Sequence, residues 1–281
     1  MAHLFTRLLL ATECSQYDDG AERMAFALAQ RCQLPLATVV PLVSNPEYEA
    51  LAPQIAARAE QEAAEKIARF RHDAHEAQVG IDLCVRRGEE PYREIVEEAR
   101  ARNCDMLIIR RRGKRGLLAN LLVGEMVSKV VAHAPCHVLI VPREASMWRR
   151  RVLVALDPTE DGSALVAIAA GVAAQCGLPL HIVSVITAKE QQPQANTFVT
   201  ERVVQAQHAG VTAFGEVRLG KAFTEILAAR QDCDADLIVI GSRSDSRNDS
   251  LIGRALVGGV AQKVMGLSEH PVLVVHADTG Q

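Results

Sequence analysis

Three observations predict an α/β fold made of two tandem copies of a doubly wound, parallel, five-stranded sheet. The composition is 49% hydrophobic but only 4% aromatic, so the cores must be built from Val, Ile, Leu and Ala. Such a set suits buried parallel strands covered by Ala-rich helices. Apolar runs of strand length alternate with longer helical patterns from the N-terminus onward. The whole series then recurs, and 281 residues are enough for two domains that each bury a core.

Residues 7–12 are a continuous apolar run ending in Glu13-Cys14-Ser15, a strand passing into a loop. Asp18 or Asp19 is placed to cap the next helix, whose inner face takes Met24, Ala25, Leu28 and Ala29. Gln33-Leu34-Pro35 ends that helix, and residues 36–43 form a second strand in which Pro41 marks a strand end or a bulge. Residues 45–53 read as loop and 55–78 as a long helix, with Ile55, Ala59, Ala63, Ile67, Phe70 and Ala74 along one face. Gly80 stops it, and residues 81–86 alternate as a third strand. A loop over 87–91 puts Pro91 near the first turn of a helix that runs to about Arg102. Residues 106–109 are strand, 110–123 loop, 124–133 helix and 136–141 the fifth strand. Strand and helix in this alternation call for parallel strands joined by crossovers.

A polar linker, residues 143–150, separates a first domain of residues 1–142 from a second of residues 151–281. Glu13 aligns with Asp157, Cys32 with Cys176 and Leu34-Pro35-Leu36 with Leu178-Pro179-Leu180, all at an offset of 144. The offset falls to 131 or 132 for Gly88 with Gly220 and Asp105 with Asp236, so the long helix of the first half is the longer one. It then becomes 134, pairing Gly124 with Gly258 and Lys129 with Lys263. Strands in register, with length changes confined to a helix and a loop, are the mark of a tandem repeat.

A net charge of -3 gives no global pull toward nucleic acid or membrane, so any anion site must rest on local charge. Seven cysteines, an odd number without a C-x-x-C pair, argue against a disulfide framework or a zinc ribbon. They read as small buried residues of a reducing compartment. The N-terminal apolar run is too short for a signal peptide and no stretch approaches membrane-spanning length. The expectation is a cytoplasmic protein.

Several groups of residues invite chemistry and lose to a plainer reading. The run Arg110-Arg111-Arg112-Gly113-Lys114-Arg115 is either an anion-binding loop at the open end of the sheet or a solvated loop; Glu13 and Glu125 nearby favour the second. Specific nucleic-acid binding lacks stacking aromatics. His72 with His75, and His133 with His137, have spacings a metal can use, but no Cys or carboxylate set completes either, so they read as incidental surface histidines and no metal site is expected. Glu89, Glu90, Glu94, Glu97 and Glu98 read as an exposed helical charge face. No G-x-S-x-G elbow, Walker A signature or Cys–His arrangement is visible, and Gly162-Ser163 lies at a helix start rather than at a nucleophile.

Residues 236–275 carry the sharper signal: a buried strand, a loop of Gly, Ser and Arg, a helix beginning near Gly258-Gly259, and a last strand. Free backbone N–H groups at a helix start, approached closely through glycine, suit a phosphate. Each half resembles a universal stress protein domain, and the whole resembles the tandem type of that family over nearly the entire chain. The resemblance implies a flavodoxin-like or Rossmann-like sheet and, in nucleotide-binding members, an Asp after strand one near adenine and ribose. It also implies G-x2-G-x9-G-[ST] around the phosphates, with ATP as ligand and no metal beyond the Mg2+ that accompanies it. Pairing of the fifth strands as antiparallel neighbours is implied too, here residues 138–141 with 272–275. That makes an intramolecular pseudo-dimer about a pseudo-two-fold axis and leaves room for a further homodimer.

Position by position, the first half departs from this pattern: Glu13 replaces the Asp, Arg110 the first Gly and Glu125 the final Ser/Thr, while Gly113 and Gly124 remain with ten residues between them rather than nine. A Glu125 carboxylate in the first helical turn would stand where a phosphate takes the free N–H groups. The second half keeps Asp157, Gly241, Gly258 and Gly259, has Ser244 at the second Gly, and lengthens the loop to thirteen residues. Arg243, Ser246 and Arg247 add donors there. The resemblance thus places weak ATP binding, if any, on Asp157, Gly241, Ser242, Ser244, Gly258 and Gly259 of a non-catalytic stress-response factor. Two other readings stand beside it. One is a nucleotide-hydrolysing or adenylate-forming enzyme on the same sheet, for which Glu13-Cys14-Ser15 and Asp157-Pro158-Thr159 lack the S-G-G-x-D-S loop. The other is a scaffold whose cleft holds a lipid or other apolar metabolite.

Overall fold

The structure, a computed structural model, describes residues 4–111, 124–242 and 257–276. The chain forms two compact units, one of Phe5–Arg111 with Glu125–Met147, the other carrying Trp148 and the residues after it.

The first unit runs β1 (Leu8–Ala11), α1 (Asp19–Cys32), β2 (Leu36–Val43), α2 (Pro46–Leu51), α3 (Pro53–Glu76), β3 (Ile81–Gly88), α4 (Pro91–Ala101), β4 (Met106–Arg110), α5 (Glu125–His133) and β5 (His137–Val141). Its strands lie in the order β3-β2-β1-β4-β5 with every pair parallel. The second unit runs β6 (Val152–Leu156), α6 (Ser163–Cys176), β7 (Leu180–Ile186), a 3-10 turn, α7 (Gln192–His208), β8 (Ala213–Leu219), α8 (Ala222–Asp232), β9 (Leu237–Gly241), α9 (Gly259–Leu267) and β10 (Val272–Val275). Its order, β8-β7-β6-β9-β10, is the same and is again all parallel. This is the Rossmann half-sheet order, whose crevice opens where the chain reverses direction across the sheet, between β1 and β4 and between β6 and β9.

Every residue of β1, β5 and β10 is buried, and apart from His137 at the start of β5 all of them are apolar. The repeat is also written in hydrogen bonds. Asp105 accepts from the N–H groups of Thr6 (2.7 Å) and Arg7 (3.0 Å) just before β1. Asp236 accepts from those of Arg149 (2.7 Å), Arg150 (3.1 Å) and Arg151 (3.2 Å) just before β6. In each unit a carboxylate at the start of the fourth strand fixes the chain as it enters the first.

Some expectations are corrected. Pro41 neither ends nor bulges β2. Val39 accepts from Thr12 N–H (3.1 Å) where β1 ends, so the β1 side beyond it asks for no donor, and β2 continues along β3 to Val43. The predicted loop 45–53 contains α2. Along α3 only Phe70 and Ala74 are buried; Ala63 and Ile67 are half-buried, and Ile55 and Ala59 are exposed. The charge face of α4 is half internal: Arg86 of β3 pairs with Glu94 (3.0 Å) and Glu98 (2.9 Å), and Glu98 is buried. His137 is not a surface histidine but a buried residue of β5, edge-on to Phe5 at 5.9 Å. Of the cysteines, all free, Cys14, Cys104 and Cys136 are buried and the other four only partly so.

Candidate functional site

The crevice of the second unit is an open cleft of about 130 Å³. β6 supplies Leu156 and the residue after it, Asp157; β7 supplies Val183 and Val185; α8 supplies Ala222 and Ile226. Gly241, the last residue of β9, and Gly258, the N-cap of α9, close the other side. The floor is therefore apolar, and among the described lining residues the ionisable groups are Asp157 and Glu160. Asp157 is exposed but held: its Oδ1 accepts from Thr159 N–H (2.9 Å) and Thr159 Oγ1–H (2.7 Å).

Three of the six residues expected here, Asp157, Gly241 and Gly258, share this cleft, while Gly259 is the first residue of α9. Ser242 does a structural task with its backbone: its N–H donates to Val275 (3.0 Å) and its carbonyl accepts from Gly258 N–H (3.3 Å). Those two amides are therefore committed. The N–H groups of Gly259, Val260 and Ala261 are the ones that a helix start leaves without an intrahelical acceptor. Among the described residues nothing lies within 4 Å of the place a Gly259 Cβ would take. Ser244, Arg243, Ser246 and Arg247 lie outside the described residues, as do Gly113 and positions 112–115 of the cationic run.

At the same place in the first unit an arginine meets two carboxylates. Arg110, at the position of Gly241, reaches back from β4 to Glu13 (Nη2 to Oε2, 2.8 Å) and to Asp18 (Nε to Oδ1, 2.9 Å). Asp18 is almost wholly buried; burial raises its pKa, while Ser15, donating through Oγ (2.5 Å), and Arg110 pull it back. The expected cap is thus absent: Asp18 commits its carboxylate to Ser15 and Arg110 and makes no side-chain cap to α1. Two guanidinium groups approach the ring of Tyr17, Arg110 at 5.7 Å and Arg143 at 5.6 Å from its centroid. Behind them Thr12 Oγ1 donates to buried Glu22 (2.6 Å) and accepts from Cys14 N–H (2.8 Å), and Arg69 donates to the Cys14 carbonyl (2.7 Å). Burial pushes Glu22 up to about 7 and Cys14 to about 12.

Glu125 puts a carboxylate in the first turn of α5, where it was expected. It turns along the helix to Lys129 (3.0 Å). What occupies the first crevice is the Arg110–Glu13–Asp18 brace. The substitution of Arg110 for glycine signals it in the sequence; Thr12, Asp18 and Glu22 give no such signal, because only the fold turns them inward. Among the described residues no cluster of His, Cys, Asp and Glu suits a metal, and no helix is long and apolar enough to cross a membrane.

Two Rossmann-type units in one chain, one with an open cleft beside glycines and one with an Arg110–Glu13 ion pair at the same strand end, define a tandem α/β protein of doubly wound parallel sheets. The profile of the universal stress protein family matches twice, over residues 4–142 and 149–276, and the chain belongs to that family. Among solved structures it is similar to a universal stress protein from Archaeoglobus fulgidus, at 20% identity and a TM-score of 0.72, covering 96% of this chain and 97% of that one. It is likewise similar to a functionally unknown protein from Pseudomonas aeruginosa, at 20% identity and a TM-score of 0.67, covering 97% and 93%. At that identity the likeness speaks for the fold alone. No curated protein matches the sequence.

Proposed function

We propose that this chain is a non-catalytic, cytoplasmic stress-response protein that binds one adenine nucleotide weakly, in its second domain (residues 151–281) and not in its first (residues 1–142). The observation that carries the reading is the contrast between Gly241 and Arg110: the same strand end opens one crevice and braces the other. In the open cleft the apolar floor between Val183, Val185 and Ile226 takes the base, and Asp157 accepts from the ribose hydroxyls. The N–H groups at the start of α9, with Ser242 and Ser244, hold the phosphates. Gly259 in place of a hydroxyl residue, and a Ser242 amide already bonded to Val275, keep that hold weak.

Isothermal titration of the full chain with ATP tests this. The expected result is a single weak site per chain that Asp157→Ala weakens by about tenfold. Two equivalent sites, or tight binding that survives Asp157→Ala, rejects the assignment. Hydrolysis above that of an Asp157→Ala/Gly241→Arg double variant would return the chain to the enzymes.

A further inference from the structure

The largest break in the repeat is where the offset between the halves falls from 144 to 131 or 132, and the extra chain of the first half has a distinct surface. α2 and the first turns of α3 stand beside the end of β2 and enclose a groove of about 590 Å³. Its floor is Leu42, Val43, Leu51, Ala52 and Ile55. Leu51, Ile55 and Val43 are 82%, 73% and 72% exposed, the three most exposed large apolar side chains among the described residues. α3 buries only Phe70 and Ala74, near its C-terminal end, whereas its counterpart α7 buries Ala195, Val199 and Ala206 along its length. A helix draws most of its stability from packing an apolar face, and a clustered exposed apolar patch marks an interaction site.

The charge around the groove selects the occupant. Glu49 and Glu60 line it, and Glu89 meets Asn45 at its edge (3.4 Å). Arg87 pairs with Glu60, while Glu49 is held only by Ser44 Oγ (2.8 Å), and no cation pairs with Glu49 or Glu89 among the described residues. A two-fold contact of this face with itself would set these carboxylates against their own copies, which disfavours a second copy. We propose that the groove docks a basic amphipathic helix of a partner protein. Its apolar stripe lies on Leu51 and Ile55, and its lysines or arginines meet Glu49 and Glu89, the helix-in-groove mode of recognition.

The test uses the full chain and two labelled helical peptides of about 18 residues, roughly five turns, one of Leu and Lys and one of Leu and Glu. Fluorescence anisotropy should show saturable binding of the Leu/Lys peptide, weakened by salt. Leu51→Ser/Ile55→Ser should weaken it about tenfold, and Glu49→Gln/Glu89→Gln should weaken it and flatten its salt dependence, while Phe214→Ser leaves it unchanged. Hydrogen exchange on the unsubstituted protein should show the peptide protecting the amides of α2 and the start of α3. Equal binding of the Leu/Glu peptide, no loss in the double serine variant, or no protection there overturns the proposal. A concentration-dependent dimer dissolved by Leu51→Ser/Ile55→Ser would also overturn it, giving the face to a second copy.

Discussion

Arg110 and Glu13 meet at 2.8 Å across the crevice of the first unit, from the ends of β4 and β1. In the second unit Gly241 and Asp157 stand at the corresponding positions and line an open cleft. The pair is an internal contact, and Arg110 adds the buried Asp18 to it at 2.9 Å. The two strand ends differ in this way while the strand order of the two halves stays alike.

That brace should be visible in stability. Arg110→Met leaves Asp18, 1% exposed, without its cation, and removing one partner of a buried pair costs about 3 kcal/mol. Urea unfolding should show this loss near pH 8 and a smaller one near pH 5, because an Asp18 freed of Arg110 takes up a proton more readily and so sheds its buried charge. The double variant Arg110→Met/Asp18→Asn should recover most of it. An Arg110→Met protein as stable as the parent at both pH values would mean that the brace contributes nothing to stability.

Glu22 supplies a pH dependence of its own. Burial, with Asp18 and Asp19 adding to it and the Thr12 hydrogen bond opposing, raises it from 4.5 to about 7. Below about pH 4.5 both folded and unfolded chains hold the proton; between there and pH 7 the unfolded chain loses it while the folded one keeps it. Stability therefore falls as pH rises through this window, by about 3 kcal/mol for this group, and is level above it. Glu22→Gln keeps an acceptor for Thr12 and removes the titration. The stability difference between parent and variant, followed by urea unfolding from pH 4.5 to 8, should shift in favour of the variant as pH rises; a constant difference would assign the proton elsewhere.

Asp105 and Asp236 predict a matched pair of losses. Each carboxylate binds successive backbone N–H groups at the start of its unit, and each is charge-assisted. Asp105→Ala and Asp236→Ala should each cost roughly 3 kcal/mol, with Asn intermediate, read by urea unfolding monitored by circular dichroism. A loss confined to one of them would show that the two capping carboxylates are not equivalent in energy.

Much of the fold was legible in the sequence for a physical reason. Buried parallel strands carry no polar face, so runs such as residues 106–109 and 272–275 announce themselves, and the constant offset of 144 is enough to align Glu13 with Asp157. What escaped depends on side-chain direction. The apolar face of α3 obeys helical spacing, yet spacing does not report whether anything packs on it, and Ile55 has no core beneath it. Glu98 sits in a run of acids, but Arg86 on the neighbouring strand draws it inside. Asp18 looks like a cap because Ser15 and Arg110, which take its oxygens, are distant from that role in sequence pattern.

The contrast between the halves can be tested by exchanging its central residue. Gly241 belongs to strand β9, so a side chain there costs no left-handed backbone strain. In Gly241→Arg a guanidinium occupies the cleft as Arg110 does in the first unit, within reach of Asp157, which no other described cation engages. The variant should fold with the parent's melting temperature and lose ATP binding by more than about tenfold in isothermal titration. Gly241→Ala, which adds one methyl group and no charge, should retain most of the affinity. The loss requires that the ligand pass the end of β9: equal weakening by Ala and Arg would point to glycine itself as the requirement, and unchanged binding in both would place the nucleotide outside this cleft.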